Sequence, residues 1–328
     1  MKITDVAVAV LLRSDGSFLL SSRPTGKPYA GYWEFPGGKI EPGESVRDAL
    51  RRELIEELNV VIDTCYPWFT FVMVYQHATV RLHTWRVTAW HDADAGGMHG
   101  REGQQFAWQT SVETIDVTPT LPGCVPIFRA LSLPTRYLVT CTGECGIDTI
   151  LRRLRALPAD DASNTTLDKA FGKVMVQIRE KGLDALARAT FAREVLAIGR
   201  ARGFRVLING DAALAQTIGA AGVHLSSAEL AVLDERPPFD WVGASVHSRA
   251  ELERAVRLRC DFVVLGAVRD TPSHPDAAPL TWPGFAAAVQ DTPIPVYAIG
   301  GMTPADLPEA ISHGAHGIAM MRNWPVHS

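Results

Sequence analysis

The chain has 328 residues, enough for two domains of roughly 150 residues each. Hydrophobic residues make up 47% and charged residues 21%, a globular mixture that excludes a disordered chain, and no run of eighteen apolar residues could span a membrane. Net charge is -4, with 12 Lys+Arg against 15 Asp+Glu up to Leu131 and 20 against 21 beyond it; neither half carries the basic excess of a nucleic-acid-polymer binder.

The N-terminus, Met1-Lys2-Ile3-Thr4-Asp5-Val6, lacks the uninterrupted apolar stretch and cleavage site of a signal peptide, so a cytoplasmic protein is expected. Val6–Leu12 reads as a strand. Ser14-Asp15-Gly16 supplies turn chemistry and Phe18-Leu19-Leu20 a returning strand, which predicts a hairpin. Glu44–Leu58 has helical periodicity, with Val46, Leu50, Leu54 and Leu58 on one face. Trp68–Tyr75 and Val80–Trp90 read as strands, and Pro126–Leu131 as a short helix. The pattern predicts a mixed α/β layer fold for residues 1–131, a linker at 132–136 around Pro134, and a second domain over 137–328.

The second domain repeats regularly. Apolar, β-branched runs recur at Tyr137–Cys141, Val174–Ile178, Arg205–Asn209, Gly222–Leu225, Trp241–Val246, Phe262–Gly266, Pro295–Gly300 and Gly317–Met321. Helical patterns such as Ala185–Arg200, Ser248–Arg257 and Thr303–His313 fill the gaps. Eight such units predict a compact (β/α)8 barrel, with a doubly wound open sheet as the alternative. The five cysteines (Cys65, Cys124, Cys141, Cys145 and Cys260) are sparse and odd in number, which argues against a disulfide framework. Cys141 and Cys145 have no matching second pair, which argues against structural zinc.

The densest chemistry lies between Gly37 and Val60. Residues three and four apart share a helix face, so Glu53, Glu56 and Glu57 are expected to project toward one region. Three such carboxylates repel unless a cation joins them, and hard oxygen donors suit Mg²⁺ together with a substrate phosphate. Gly37-Gly38 lets the backbone approach closely, and Arg52 can orient a neighbouring carboxylate. The bland alternative is a solvated acidic helix face. The spacing resembles the Nudix box: Gly38, Glu44, Arg52, Glu53, Leu54, Glu56, Glu57 and Val60 agree at eight of nine specified positions, with Asn59 in place of Gly. That position follows the helix and calls for a left-handed backbone, which Asn tolerates next best.

The resemblance extends over residues 3–131 and is closest to the MutT-like branch, through Trp33–Glu41, Arg23 and Arg101-Glu102-Gly103-Gln104. It implies an α/β/α sandwich with a mixed sheet and Mg²⁺-dependent (or Mn²⁺-dependent) hydrolysis of a nucleoside triphosphate such as 8-oxo-dGTP to monophosphate and pyrophosphate. It implies metal ligands at Gly38, Glu53, Glu56, Glu57 and Glu102, with Glu53, Glu102 and Arg52 catalytic. Substrate contacts would come from Arg23, Glu34, Phe35, Gly37, Gly38 and Lys39, with core packing the alternative for Phe35. Cys124 stands where oxidised-guanine-selective members carry Asn, and a thiol lacks the paired donor and acceptor of an amide.

In the barrel, Ile299-Gly300-Gly301 ends the seventh strand and Met320-Met321 the eighth, the end at which such barrels bind phosphate. Gln177–Lys181, Leu207-Ile208-Asn209, Gly222–Leu225, Gly243–His247, Thr271-Pro272-Ser273 and Gly300-Gly301 resemble the thiamine-phosphate synthase/TenI family over residues 137–322. The likeness implies a phosphorylated pyrimidine or thiazole ligand held by Gln177, Arg179, Lys181, Asn209, Ser245, Thr271, Ser273, Gly300, Gly301, Met320 and Met321. His247 becomes a proton carrier if the barrel is a thiazole tautomerase, or a packed strand-end His. Synthases follow the Asn with Asp-Arg, where Gly210-Asp211 stands here. They have Gln and Asp at Ser227 and Glu229, and Lys at His274. These departures imply altered synthase activity, or a barrel that binds ligand without turnover. Oligomeric state is open. A thiamine-like diphosphate is the alternative substrate of the first domain.

Overall fold

The computed structural model describes residues 3–157, 174–271 and 278–324. The chain divides into two compact units, one up to Leu133 and one from Pro134 onward apart from Gln290–Pro293. Among the described residues no helix is long and apolar enough to cross a membrane.

In the first unit β1 (Ile3–Leu11), β2 (Phe18–Ser22), β3 (Trp33–Glu34) and β4 (Gly37–Lys39) precede helix α1 (Val46–Leu58), followed by β5 (Val60–Val74), β6 (Thr79–Asp92), β7 (Phe106–Gln109) and α2 (Cys124–Leu131). One sheet has the order β4-β1-β6-β5 and the other β3-β2-β7. The first is mixed: β1 runs parallel to β6 and antiparallel to β4. Side chains alternate across a strand, and β1 uses both faces. Ala7, Ala9 and Leu11 pack with Leu50, Leu54 and Leu58 of α1, whereas Val8, Val10 and Leu12 join the core that contains Ile127 and Ala130 of α2. This is an α/β/α sandwich.

The expected hairpin closes only at its turn, where the Arg13 N–H donates to the Ser17 carbonyl at 2.9 Å. Both edges of β1 are taken by β4 and β6, so after one bridge, Leu12 to Phe18, the chain crosses into the second sheet, where β2 pairs with β3 and β7. The strand expected from Trp68 begins instead at Val60, immediately after α1, and its pairing with β6 shifts register between Ile62 and Thr64 and between Pro67 and Thr70. Pro67 cannot donate to the ladder, and an irregular register accommodates it.

Helix α1 starts at Ser45, whose hydroxyl accepts the Asp48 N–H, and stops at Asn59, a left-handed cap with φ 61° and ψ 34°. The buried Asn59 amide donates to Asp94 Oδ1 and to the Gly97 carbonyl, both at 2.9 Å. A glycine here keeps the backbone but loses both bonds.

The second unit is a closed barrel of parallel strands in the order β10-β11-β12-β13-β14-β15-β8-β9. These are β8 (Arg136–Val139), β9 (Val174–Ile178), β10 (Arg205–Asn209), β11 (Gly222–Leu225), β12 (Trp241–Val246), β13 (Phe262–Leu265), β14 (Val296–Ile299) and β15 (Gly317–Met320). Among the described residues its α-helices are α3 (Thr142–Cys145), α4 (Ile147–Ala156), α5 (Ala185–Arg202), α6 (Ala212–Ile218), α7 (Ser227–Val232), α8 (Arg249–Arg257), α9 (Thr281–Val289) and α10 (Leu307–Ser312). Closure excludes the open sheet. Tyr137, Phe262 and Tyr297 fill the interior with ring centroids 5.3–5.6 Å apart. A Cβ on Gly243 would strike the Phe262 ring, so the small residue there makes room for that layer.

Asn59→Gly should destabilise the first unit by about 1–2 kcal/mol for the two lost hydrogen bonds, and Asn59→Ala by about 1 kcal/mol more for left-handed strain. Urea unfolding of the two variants checks the order; equal midpoints for all three proteins would contradict it.

Candidate functional site

The carboxylates of the first unit are placed by strand and helix together. Strand β4 pairs with β1 at Ala7–Gly38, and α1 returns across it. A Cβ on Gly38 would collide with the Glu53 carboxylate, so the helix side chain rests directly on the strand backbone. Glu57 Oε2 accepts the Gly37 N–H at 3.3 Å. Arg52 then ties the site together. Its Nε and Nη2 meet the two Glu44 oxygens, each at 2.9 Å, its Nη1 meets Glu53 Oε1 at 2.7 Å, and Nη2 also donates to the Lys39 carbonyl.

Glu56 departs from the expected convergence. Its side chain is 54% exposed and reaches only the edge of Arg52, at 3.5 Å. On a helix, Glu53 and Glu57 lie one turn apart on the face over β4, and Glu56 is rotated from that face toward solvent.

Burial pushes the Glu57 carboxyl up to about 8, and the nearby Glu53 and Glu34 charges add to the rise. Glu34, on β3, is likewise raised by burial, against the pull of Arg23, which grips both its oxygens at 2.6 and 2.7 Å. Burial opposes the charge on Lys27, yet the Glu102 carboxylate at 2.8 Å, with Glu57 behind it, raises its pKa above the ordinary lysine value. The loop bearing Glu102 is fastened to the end of α1: Arg101 N–H and Gln104 Nε2 both donate to the Glu57 carbonyl. Among the described residues no three His, Cys, Asp or Glu side chains already converge as a metal-binding group. Arg52 and Lys27 engage Glu53 and Glu102 instead. Mutually repelling carboxylates against an unshielded glycine backbone nonetheless fit a divalent cation.

Phe35 is buried between Phe18 and Phe128, with centroids 5.8 and 5.6 Å away, and so packs in the core. Lys39 has an exposed side chain and joins the site through its carbonyl. Cys124 is buried as the first residue of α2; its thiol, pushed up to about 12 by burial, points to the Trp33 carbonyl 3.7 Å away.

The second unit has a cavity of about 430 Å³ at the C-terminal ends of its strands, bounded by Val139, Gln177, Ser245, Val264, Ile299 and Ala319. A polar chain underlies it: Gln177 Nε2 donates to the Tyr137 hydroxyl, which lies 3.1 Å from His224 Nδ1, and His224 Nε2 lies 2.9 Å from Ser245 Oγ. Burial drives His224 down to about 3, so it is neutral at pH 7. Arg179, Arg322, Thr271, Gly300, Gly301 and Met321 also face the cavity. His247 stands at its edge, with Nδ1 3.0 Å from Ser227 Oγ and 3.5 Å from Glu251 Oε2.

Three expected barrel residues do not reach this space. Met320 is buried on the opposite face of β15 from Ala319 and Met321, as strand alternation requires. Lys181 is exposed beyond the end of β9, and Asn209, the last residue of β10, does not line the cavity. Ser273 and His274 lie outside the described residues.

Among the described residues no Asp or Glu lines the cavity. Asp211 caps α6 through the Leu214 N–H and pairs with Arg188 at 2.9 Å. Glu229 closes a capping box on the Ser226 N–H and hydroxyl. Both carboxylates are committed to helix starts, and this donor set does not fit a diphosphate-bound metal.

A family model described as NUDIX domain matches residues 2–121, and one described as thiamine monophosphate synthase matches residues 136–323. The first part is 35% identical to the CTP pyrophosphohydrolase of Escherichia coli over 130 residues, 40% of this chain and 92% of the relative. The chain belongs to both families. The barrel is 34% identical to the thiamine-phosphate synthase of Thiobacillus denitrificans over 156 residues, 46% of this chain and 74% of the relative. Among solved structures, a thiamine phosphate pyrophosphorylase from Pyrococcus furiosus is 21% identical, with a TM-score of 0.46, over 59% of this chain and 87% of its own. The E. coli ORF135 protein in solution is 36% identical, with a TM-score of 0.33, over 39% of this chain and 87% of its own. Both families act on small phosphorylated molecules.

Sequence reasoning missed Lys27 in the Nudix unit, and His224 and Arg322 in the synthase barrel. Arg322 had a legible signal, since it directly follows Met320-Met321 at the phosphate end of strand eight. Lys27 had none, because only the fold brings it to Glu102.

Glu57 binds its proton more tightly in the folded Nudix unit, near 8, than at the ordinary 4.5. The folded state therefore holds more protons between those values, and stability should fall as pH rises through that window. Glu57→Gln, which mimics the protonated group, should flatten that decline. Urea unfolding from pH 5 to pH 8 reads this, and parallel profiles for the two proteins would refute it.

Proposed function

We propose that the Nudix unit hydrolyses nucleoside triphosphates to the monophosphate and pyrophosphate. The observation that carries this reading is the seating of Glu53 and Glu57 against Gly37-Gly38, with Arg52 orienting Glu53. Glu53, Glu57, Glu102 and the Gly38 carbonyl would hold Mg²⁺ or Mn²⁺, which would supply charge neutralisation at the phosphoanhydride. Arg23 and Lys27 add cationic donors for phosphate oxygens, and Glu34 fixes the direction of Arg23. Glu53 takes the proton of the attacking water as its oxygen bonds to phosphorus and the phosphoanhydride bond between monophosphate and pyrophosphate breaks.

The first base to test is oxidised guanine, as 8-oxo-dGTP. The buried Cys124 thiol offers no paired donor and acceptor, which makes CTP, named for the E. coli relative, the second. Joining this unit to a synthase barrel favours one further substrate class, a thiamine-like diphosphate.

For the barrel, the cavity's two guanidiniums, its lining glycines Gly300 and Gly301 and, among the described residues, its lack of lining Asp or Glu favour a phosphate monoester such as a thiazole phosphate over a metal-bound diphosphate. His247, supported by Ser227 and Glu251, is the group we assign to carry a proton in a thiazole tautomerase reaction.

Glu53→Gln should lower pyrophosphate release from the preferred triphosphate by about 10²–10³-fold, the range for loss of one transition-state group, with unchanged circular dichroism. A panel of 8-oxo-dGTP, CTP and thiamine diphosphate ranks the substrates, and retained activity in the variant would refute the assignment. In the barrel, Arg322→Ala should weaken thiazole phosphate binding about tenfold, the equivalent of one charge-assisted hydrogen bond. Calorimetry checks this, and unchanged affinity would remove Arg322 from the site. Binding without isomerised product would leave the barrel a ligand-binding module.

A further inference from the structure

The turn after β8 carries two thiols that neither site uses. The Sγ atoms of Cys141 and Cys145 lie 3.6 Å apart. Cys141 precedes the one-turn helix α3 with φ -149° and ψ 63°, outside the helical range, so the pair is not held to the side-chain directions of a regular helix. Cys141 is buried, and its Sγ lies 3.3 Å from the Met321 carbonyl. Cys145 is half-buried, with Arg153 Nη1 4.0 Å from its sulfur. Cys124 and Cys260 are buried elsewhere.

We propose that Cys141 and Cys145 are a dithiol modification site that a hydroperoxide oxidises to an intramolecular disulfide. The sulfurs need only close from 3.6 Å to about 2.05 Å. Burial and the neighbouring sulfur push the Cys141 thiol up to about 12, so Cys141 keeps its proton. Cys145 is the sulfur that solvent reaches, with a guanidinium beside it for the charge that develops. Its thiolate attacks a peroxide oxygen, the O–O bond breaks, and a sulfenic acid forms as water or an alcohol leaves. The Cys141 sulfur then attacks that sulfur. The S–S bond forms, the S–O bond breaks, and the hydroxide departs as water with the Cys141 proton. Two electrons pass from the thiols to the peroxide. Only Thr142, Gly143 and Glu144 separate the two cysteines, so the bridge gains little from chain entropy and a dithiol should reduce it.

The site lies behind the cavity rim. Met321, beside which Cys141 is packed, faces the cavity, as does Arg322. Glu144, inside the same turn, holds Arg322 through bonds of 2.6 and 2.7 Å. A bridge here therefore bears on residues that contact the ligand space.

The test treats the full-length protein with hydrogen peroxide, blocks remaining thiols and maps peptides by mass. The expected result is a Cys141–Cys145 cross-link that dithiothreitol reverses. Cys145→Ser should abolish oxidation at the pair, and Cys141→Ser should halt at a Cys145 sulfenic acid trapped by dimedone. Peroxide-treated wild type with no such cross-link, or with a bridge only between two copies of the chain, would overturn the proposal.

Discussion

The Nudix unit depends on the Arg52 guanidinium. Its planar fork reaches Glu44 before the helix, Glu53 and Glu56 on it, and the Lys39 carbonyl on β4. A lysine has one point of charge and could not hold these directions together. With Arg52 in place, Glu53 can press against Gly38 while Glu57 sits deeper, on the Gly37 N–H. Arg52 pairs with Glu53, whereas burial holds the Glu57 carboxyl up at about 8. A carboxyl raised this far beside a glycine backbone is the kind of perturbed group that clusters at functional sites.

Barrel closure imposes a different constraint. The interior is filled by Tyr137, Phe262 and Tyr297, and that filling sets the floor of the cavity. Polar groups at the floor are satisfied among themselves, from Gln177 through Tyr137 and His224 to Ser245. A buried imidazole kept neutral in this way adds shape and hydrogen bonding without charge. The positive charge that faces the ligand comes from the rim, from Arg179 and Arg322. Helix starts compete for the acids: Asp211 and Glu229 satisfy backbone N–H groups that would otherwise be orphaned, and a capping carboxylate is costly to withdraw.

Local signals made much of this legible. The eight barrel strands lie close to where β-branched runs end in turn residues, and α1 lies where four apolar residues recur every four positions. The left-handed Asn59 followed from its place after the helix. The failures came where tertiary contacts decide. Phe18-Leu19-Leu20 looks like a hairpin partner for β1 until β4 and β6 occupy both its edges. Glu56 carries the same motif weight as Glu53, yet helix rotation about one hundred degrees per residue sends it outward. Arg23 and Lys27 find Glu34 and Glu102 across chain separations that no periodicity encodes. Motif spacing identifies which residues are present, whereas the depth of each side chain depends on what packs over it.

The two units meet phosphate with opposite electrostatics. Under the proposed function, the Nudix site sets Glu34, Glu53, Glu57 and Glu102 beside Arg23, Arg52 and Lys27, and a divalent ion would add the charge that an incoming polyphosphate needs. In the barrel the corresponding surface carries Arg179 and Arg322, and Gly300 and Gly301, with φ 115° and 68°, hold a backbone conformation that L side chains rarely adopt. A polyphosphate that arrives with its metal suits the first surface, because each added cation is matched by a carboxylate. A monoester arriving alone suits the second, because its charge is met by fixed donors and no ion need be ordered. Under the proposed function one surface suits an anhydride bond and the other a single phosphate used as a handle, so chemistry at the barrel would have to take place on the organic part of its ligand.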